Sequence, residues 1–153
     1  MALMSRRRGP VPPVILLVTI LLQIGLHLYL PLATIAPDPW HWAGIGFIAV
    51  GIIIIGSKAV AFRKAETTII PFQESSSLLV TGLYRYSRNP MYVGMVAILI
   101  GVATLTGSLS PFIGPVLFVP VLNARVIQHE EVMLEDQFGQ SYRDYKSRVR
   151  RWI

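Results

Sequence analysis

The side chains able to do chemistry concentrate in two segments of this sequence. The first is Leu79-Val-Thr-Gly-Leu-Tyr-Arg-Tyr-Ser-Arg-Asn-Pro-Met-Tyr-Val-Gly94. Asn89 before Pro90 reads as a helix start: Asn caps free amides, and Pro fits a first turn, where its missing N–H is no loss. Such an end presents unpaired N–H groups and the positive pole of the helix dipole, which favour a carboxylate or phosphate. Arg85 and Arg88 add two cations just before it. Gly82 permits an unusual backbone angle or a close ligand approach, and Gly94 lets a neighbour pack against the first turn. Without any ligand, the same residues would make a capped membrane helix with Arg and Tyr anchors at the headgroups.

The second segment runs from Arg125 to Ile153. Ile127, Leu134, Phe138, Tyr142, Tyr145, Val149 and Trp152 recur at steps of three, four or seven, an amphipathic helical pattern. Gly139 is expected to end one helix, and Ser141 with Asp144 resembles a capping box opening the next. An interfacial helix pair with arginines toward anionic lipid accounts for most of this tail. It does not account for Glu130 and Glu131, whose charge gains nothing beside an anionic leaflet. These carboxylates are expected to pair with Arg85, Arg88 or Arg125, or with a cationic ligand.

Other chemistries lack their parts. The chain has no cysteine, and His27, His41 and His129 fall in separate regions with no H-E-x-x-H, so no metal is expected. There is no G-x-S-x-G elbow, P-loop or G-x-G-x-x-G, and no repeat of 20–50 residues.

The elements that must position these residues are apolar. Of 153 residues, 53% are hydrophobic and 14% charged, against about 25% charged in a soluble domain; mean hydropathy is +0.55. That balance excludes a soluble globule, a disordered tail and a basic nucleic-acid binder, and the length allows a single domain. A crossing helix needs about 20 apolar residues. Four stretches approach this: about 14–32, 40–62, 90–106 and 111–123, the last two joined by Thr106-Gly-Ser-Leu-Ser110 as a tight hairpin. The N-terminal run after Arg6-Arg7-Arg8 is read as a retained span, being too long for a signal core and followed by no clean cleavage site.

All 14 Lys and Arg then fall on one side of the four spans: before the first, in the 63–89 loop or at the end of span two, and after the fourth. The positive-inside rule makes that side cytoplasmic, with both termini inside. Seven of the eight acids share it, leaving Asp38 outside, so any site belongs on the cytoplasmic face. Transport is not expected, since only Gln23, His27 and His41 approach membrane depth. Trp40 and Trp42 suit an outer-interface belt. The expected fold is an all-α integral membrane protein of about four transmembrane helices plus cytoplasmic C-terminal amphipathic helices.

Taken together, the two segments resemble the isoprenylcysteine carboxyl methyltransferase and phospholipid methyltransferase superfamily. The pattern G-x-Y-R-x-x-R-[HN]-P-x-Y-x-G is matched at Gly82, Tyr84, Arg85, Arg88, Asn89, Pro90, Tyr92 and Gly94. A second, E-E-x-x-L…F-G-x-x-Y-x-x-Y…R-W, is matched at Glu130, Glu131, Leu134, Phe138, Gly139, Tyr142, Tyr145, Arg151 and Trp152. The resemblance covers roughly residues 60–153. It implies methyl transfer from S-adenosyl-L-methionine to a lipophilic acceptor entering from the bilayer, and it places the cofactor between the loop before span three, that helix's start and the helix after span four.

On that footing Gly82, Tyr84, Arg88, Asn89, Tyr92, Gly94 and Glu130 are the expected cofactor-binding residues. The helix start and arginines suit the cofactor carboxylate, and Glu130 or Glu131 its ammonium. Tyr84 or Tyr92 would stack on adenine or face the sulfonium as a cation–π partner. Arg85, Arg125 and Glu131 are the expected catalytic residues: an arginine orients a carboxylate acceptor, or Glu131 takes a proton from an amine. Prenylcysteine enzymes typically carry His where this chain has Asn89, so prenylcysteine itself is less specifically implied. The chain also has fewer spans than larger relatives, leaving the acceptor cavity open or completed by a second subunit.

Other readings are kept. A phospholipid (phosphoethanolamine) N-methyltransferase is the nearest. An NADPH-dependent membrane reductase would also use Arg85, Arg88 and the helix start for phosphates, but the glutamate pair disfavours a polyphosphate. A non-catalytic membrane scaffold has no need of that pair. The expected partners are a lipophilic or prenylated substrate and membrane lipids, with no nucleic acid and with a homo-oligomer open.

Overall fold

In a computed structural model, residues 11–64, 78 and 80–153 are described. They form six α-helices: α1 (Pro12–Tyr29), α2 (Ala43–Lys64), α3 (Pro90–Thr106), α4 (Ile113–Leu122), α5 (Gln128–Phe138) and α6 (Gln140–Arg148). Among the described residues the one piece of extended pairing is an isolated bridge between Thr34 and Ser108. The protein is an all-α membrane protein. Pro12–Tyr29, Trp40–Ser57 and Ser110–Phe138 are long and apolar enough to cross a bilayer, and α3 is a shorter apolar helix. Only 11% of the Trp40–Ser57 window is buried against protein. With so little covered, lipid is the solvent for most of its apolar side chains.

Proline and glycine punctuate the helices as their backbone chemistry requires. Pro12 and Pro90 occupy first-turn positions, where a missing N–H costs nothing. Gly107 closes α3 with a left-handed φ of 72°. The loop between α1 and α2 is tied to that turn by Ile35 N–H to the Gly107 carbonyl and Leu109 N–H to the Ala33 carbonyl.

Helices α2 and α3 run antiparallel with backbone touching backbone. A Cβ built on Gly44 would lie 2.4 Å from the Gly101 carbonyl oxygen, and one on Gly51 2.5 Å from that of Gly94. Both helices space these glycines seven residues apart, so the close approach is repeated over two turns. Small residues at a shared face permit such contact, which is how helices associate where no hydrophobic driving force separates them from lipid.

A polar residue fastens α1. Gln23 is fully buried, and its Nε2 donates to the carbonyls of Leu99 (2.9 Å) and Pro111 (3.0 Å). Pro115, four residues past Pro111, has no N–H to offer that carbonyl, so the glutamine replaces a helical bond that proline deletes. Gly114 leaves the room, since a Cβ there would meet Gln23 Cγ at 2.7 Å. Gln23→Leu is therefore expected to lower stability by about 1–2 kcal/mol, read as an earlier melt in detergent. An unchanged melting temperature would mean that the Pro111 carbonyl finds another donor.

Helix α4 does not stop at residue 123. It widens into a single π-helical turn, Asn123–Ile127, and continues as α5 to Phe138. π-turns insert an extra residue and commonly mark functional positions. Gly139, at φ 54°, breaks the path before α6, where the sequence places a helix end. The Ser141–Asp144 capping box does not form: Gly139 is the N-cap of α6, and Asp144 Oδ1 instead accepts from Gln140 Nε2 at 2.7 Å. The core joins Tyr92, Met95 and Leu99 of α3 to Phe118, Leu122, Val126 and Ile127, with Trp152 packed against it.

Candidate active site

The loop entering α3 is held by the last turn of the tail. Gly82 takes φ 62° and opens a short 3-10 turn, Gly82–Arg85; only a residue without Cβ adopts that angle freely. The Tyr145 hydroxyl donates to the Tyr84 carbonyl at 2.7 Å. Arg88 N–H donates to the Arg150 carbonyl at 2.9 Å, and Asn89 Nδ2 to that of Arg151 at 3.0 Å. Residues 150–152 thus lie as a strap across the loop, anchored by Trp152 in the core.

Beneath the strap, one carboxylate serves two guanidinium groups. Arg151 grips Glu131 in a fork, Nε to Oε1 at 2.9 Å and Nη2 to Oε2 at 2.6 Å, and its Nη1 reaches Asn123 Oδ1 at 2.9 Å. Arg88 Nη2 approaches Glu131 Oε1 at 3.2 Å, with the Arg88 and Glu131 side chains only 9% and 7% exposed. Burial pushes the Glu131 carboxyl up. The Arg151 hydrogen bonds and the charges of Arg88, Arg151 and Lys146 outweigh it, and the group lies below the ordinary glutamate value.

Positive charge is left over at this point. Two guanidinium groups share one carboxylate, and Arg88 Nε and Nη1 are buried without a well-directed hydrogen bond, the Tyr142 hydroxyl being the polar neighbour close enough to act on Arg88. A buried donor pair of this kind costs stability unless something accepts from it. Either donor has the charge to receive a ligand carboxylate.

Glu130 points elsewhere. The Tyr92 hydroxyl lies 2.8 Å from both Glu130 carboxylate oxygens and donates to them. Tyr84 is near enough for the Glu130 charge to raise its pKa, after burial and Tyr145. Burial likewise raises Tyr142 and Tyr145 to about 12, with Arg88 offsetting part of the rise in each. All these phenols are neutral at pH 7. The group therefore combines a cationic edge at Arg88, a carboxylate at Glu130 and neutral tyrosines around them, an arrangement suited to a ligand carrying both an anion and a cation.

Several sequence expectations change. Asn89 makes no side-chain cap on α3; its amide is spent on the Arg151 carbonyl. The start of α3 is also not a row of free amides, because the Tyr92 and Val93 N–H groups turn back to the Asn89 carbonyl. Gly94 faces α2, where a Cβ would meet the Gly51 carbonyl oxygen at 2.8 Å, so it is a helix-packing residue rather than part of a cofactor wall. Arg85 and Arg125 are exposed, and among the described residues neither has an ion pair; Arg88 is the arginine drawn inside. Glu131, expected as a base, is locked between arginines, and a carboxylate so held is a poor proton acceptor.

Arg151, Ser87, Asn123 and Tyr142 belong to the network, though the residue chemistry did not single them out. For Tyr142 and Arg151 the one advance signal was the Y-x-x-Y…R-W spacing of the tail; Ser87 and Asn123 had none.

A family model for phospholipid methyltransferase matches residues 39–141. The chain is similar to a protein-S-isoprenylcysteine O-methyltransferase of Schizosaccharomyces pombe, 32% identical over 115 residues, covering 72% of this chain and 48% of that protein. It is also similar to an uncharacterized protein of Haemophilus influenzae, 38% identical over 63 residues, covering 41% of this chain and all of that one. The chain spans about half the length of the yeast methyltransferase. No solved structure matches. Carrying both motif segments in order on an all-helical membrane fold, and matched across two thirds of its length, the chain belongs to the phospholipid methyltransferase family, within the superfamily that includes the isoprenylcysteine methyltransferases.

Proposed function

We propose that the protein transfers a methyl group from S-adenosyl-L-methionine to a lipophilic acceptor, an isoprenylcysteine-like carboxylate or related lipid, at the cytoplasmic membrane face. The observation that carries the reading is the two buried, unpartnered donors of Arg88, Nε–H and Nη1, set in the same cluster as the Glu130 carboxylate. S-adenosyl-L-methionine has a carboxylate for the first and an ammonium and sulfonium for the second, and it supplies an electrophilic methyl group. Arg88 would hold the carboxylate by a charge-assisted hydrogen bond. Glu130, oriented by Tyr92, would hold the ammonium, and the neutral phenols of Tyr84 and Tyr92 would offer ring faces to adenine or sulfonium.

Methyl transfer is an in-line displacement that needs alignment and exclusion of water more than acid–base help. A carboxylate acceptor arrives ionised and requires no base. This agrees with Glu131 being tied to two arginines, and it favours a carboxylate over an amine acceptor. Exposed Arg85 and Arg125 remain the candidates for orienting it. The cytoplasmic assignment rests on the one-sided placement of all 14 Lys and Arg.

Titration calorimetry of the detergent-purified protein should detect micromolar binding of S-adenosylhomocysteine and none of NADPH. A nicotinamide polyphosphate would meet the Glu130 charge. Binding of NADPH alone would move the protein to reductase chemistry, and silence from both ligands would favour a scaffold.

A further inference from the structure

We infer that Arg151 is a positioning residue that aims the unpartnered donors of Arg88 through their shared carboxylate, Glu131. The inference rests on the reading of Arg88 as the seat of the ligand carboxylate. It gives a role to Arg151, which the sequence offers only as part of the R-W motif.

The geometry is that of a lever with three fixed points. Arg151 claims both oxygens of Glu131 and, with its remaining terminal nitrogen, Asn123 Oδ1 in the π-turn. This fork holds Glu131 in one rotamer. With the planar Arg88 guanidinium fixed at Nη2 against Glu131 Oε1 at 3.2 Å, its Nε–H and Nη1 donors point to two different sides, each without a partner. The backbone closes the loop from the other side. Arg88 N–H binds the Arg150 carbonyl, while Asn89 Nδ2 and, at 3.4 Å, Ser87 Oγ donate to the Arg151 carbonyl. Arg88 is thus positioned at its main chain and at its side chain by the same two strap residues.

A lysine cannot reproduce the fork. It is a point charge with no planar pair of donors, so Arg151→Lys keeps the charge and loses the geometry. The test compares two ligands. S-adenosylhomocysteine carries the amino-acid carboxylate, and 5′-methylthioadenosine carries the same adenosine and thioether without it.

Arg151→Lys should weaken S-adenosylhomocysteine about tenfold or more, the scale of a misdirected charge-assisted hydrogen bond, while 5′-methylthioadenosine changes less than about twofold. Asn123→Ala removes one anchor of Arg151 and should give a smaller loss with the same selectivity. It also serves if the lysine variant does not fold. Equal weakening of both ligands, or of neither, would overturn the positioning role. A wild-type protein that binds neither ligand would instead overturn the reading of the site on which the role depends.

Discussion

Glu131→Gln is expected to destabilise the protein by about 3 kcal/mol and to abolish S-adenosylhomocysteine binding. Removing one member of a buried ion pair costs roughly 3–5 kcal/mol because the remaining charge is stranded. Here two charges are stranded. Arg88 is almost entirely buried, whereas Arg151 is 31% exposed and partly relieved by water, which places the cost at the lower end. Glutamine fits the same space and keeps one acceptor oxygen, so the loss reports charge rather than packing.

The same carboxylate predicts an acid limb. Its pKa is lowered in the folded protein, so its contribution is complete above the unfolded glutamate value of about 4.3 and disappears as pH falls through the lower folded value. Melting curves in detergent between pH 7 and pH 3 should show the wild type losing stability on acidification more steeply than Glu131→Gln. A variant melting within a degree of wild type, with the same acid slope, would show that the cluster does not hold the loop.

The second large effect lies at the α2–α3 contact. Gly51→Leu should prevent these helices from meeting, because its Cβ alone would sit 2.5 Å from the Gly94 carbonyl oxygen and 2.6 Å from Ile98 Cγ1. Overpacking usually costs about 1–3 kcal/mol. Backbone is the obstacle here and cannot rotate away, so about 3 kcal/mol or more is expected.

Function should fall with stability, since α3 carries Tyr92 in its first turn and the Arg88 loop at its start. Gly46→Leu supplies the control: a Cβ there meets nothing within 4 Å. Expression and melting temperature should collapse for the first variant and hold for the second. Equal behaviour of the two would mean that the glycines are not what lets the helices touch.

Much of the architecture was readable in advance because it depends on local chemistry. Apolar runs of about 20 residues, prolines at first turns and Gly139 after a helical stretch each act within a few residues of themselves. The one-sided distribution of basic residues has the same character, as a sum over loops that needs no contact map. The pairing of Glu131 with arginine also followed from charge, since a carboxylate beside an anionic leaflet must be compensated by something.

The choice among partners was not readable. Glu131 had Arg85, Arg88 and Arg125 available by type; it took Arg88 and the unanticipated Arg151. Glu130 took a tyrosine. Asn89 has the residue type of a cap, yet its amide was drawn to a carbonyl 62 positions away. Gly94 was expected at the cofactor and serves the approach of α2.

The sequence by itself determined an all-helical membrane protein, because hydropathy and helix punctuation are properties of short stretches. Only the tertiary structure decided which arginine is buried, which glutamate it pairs with and which residues hold them. Those choices turn on which faces of distant helices meet, and a difference of one residue rotates a helical side chain by about 100°.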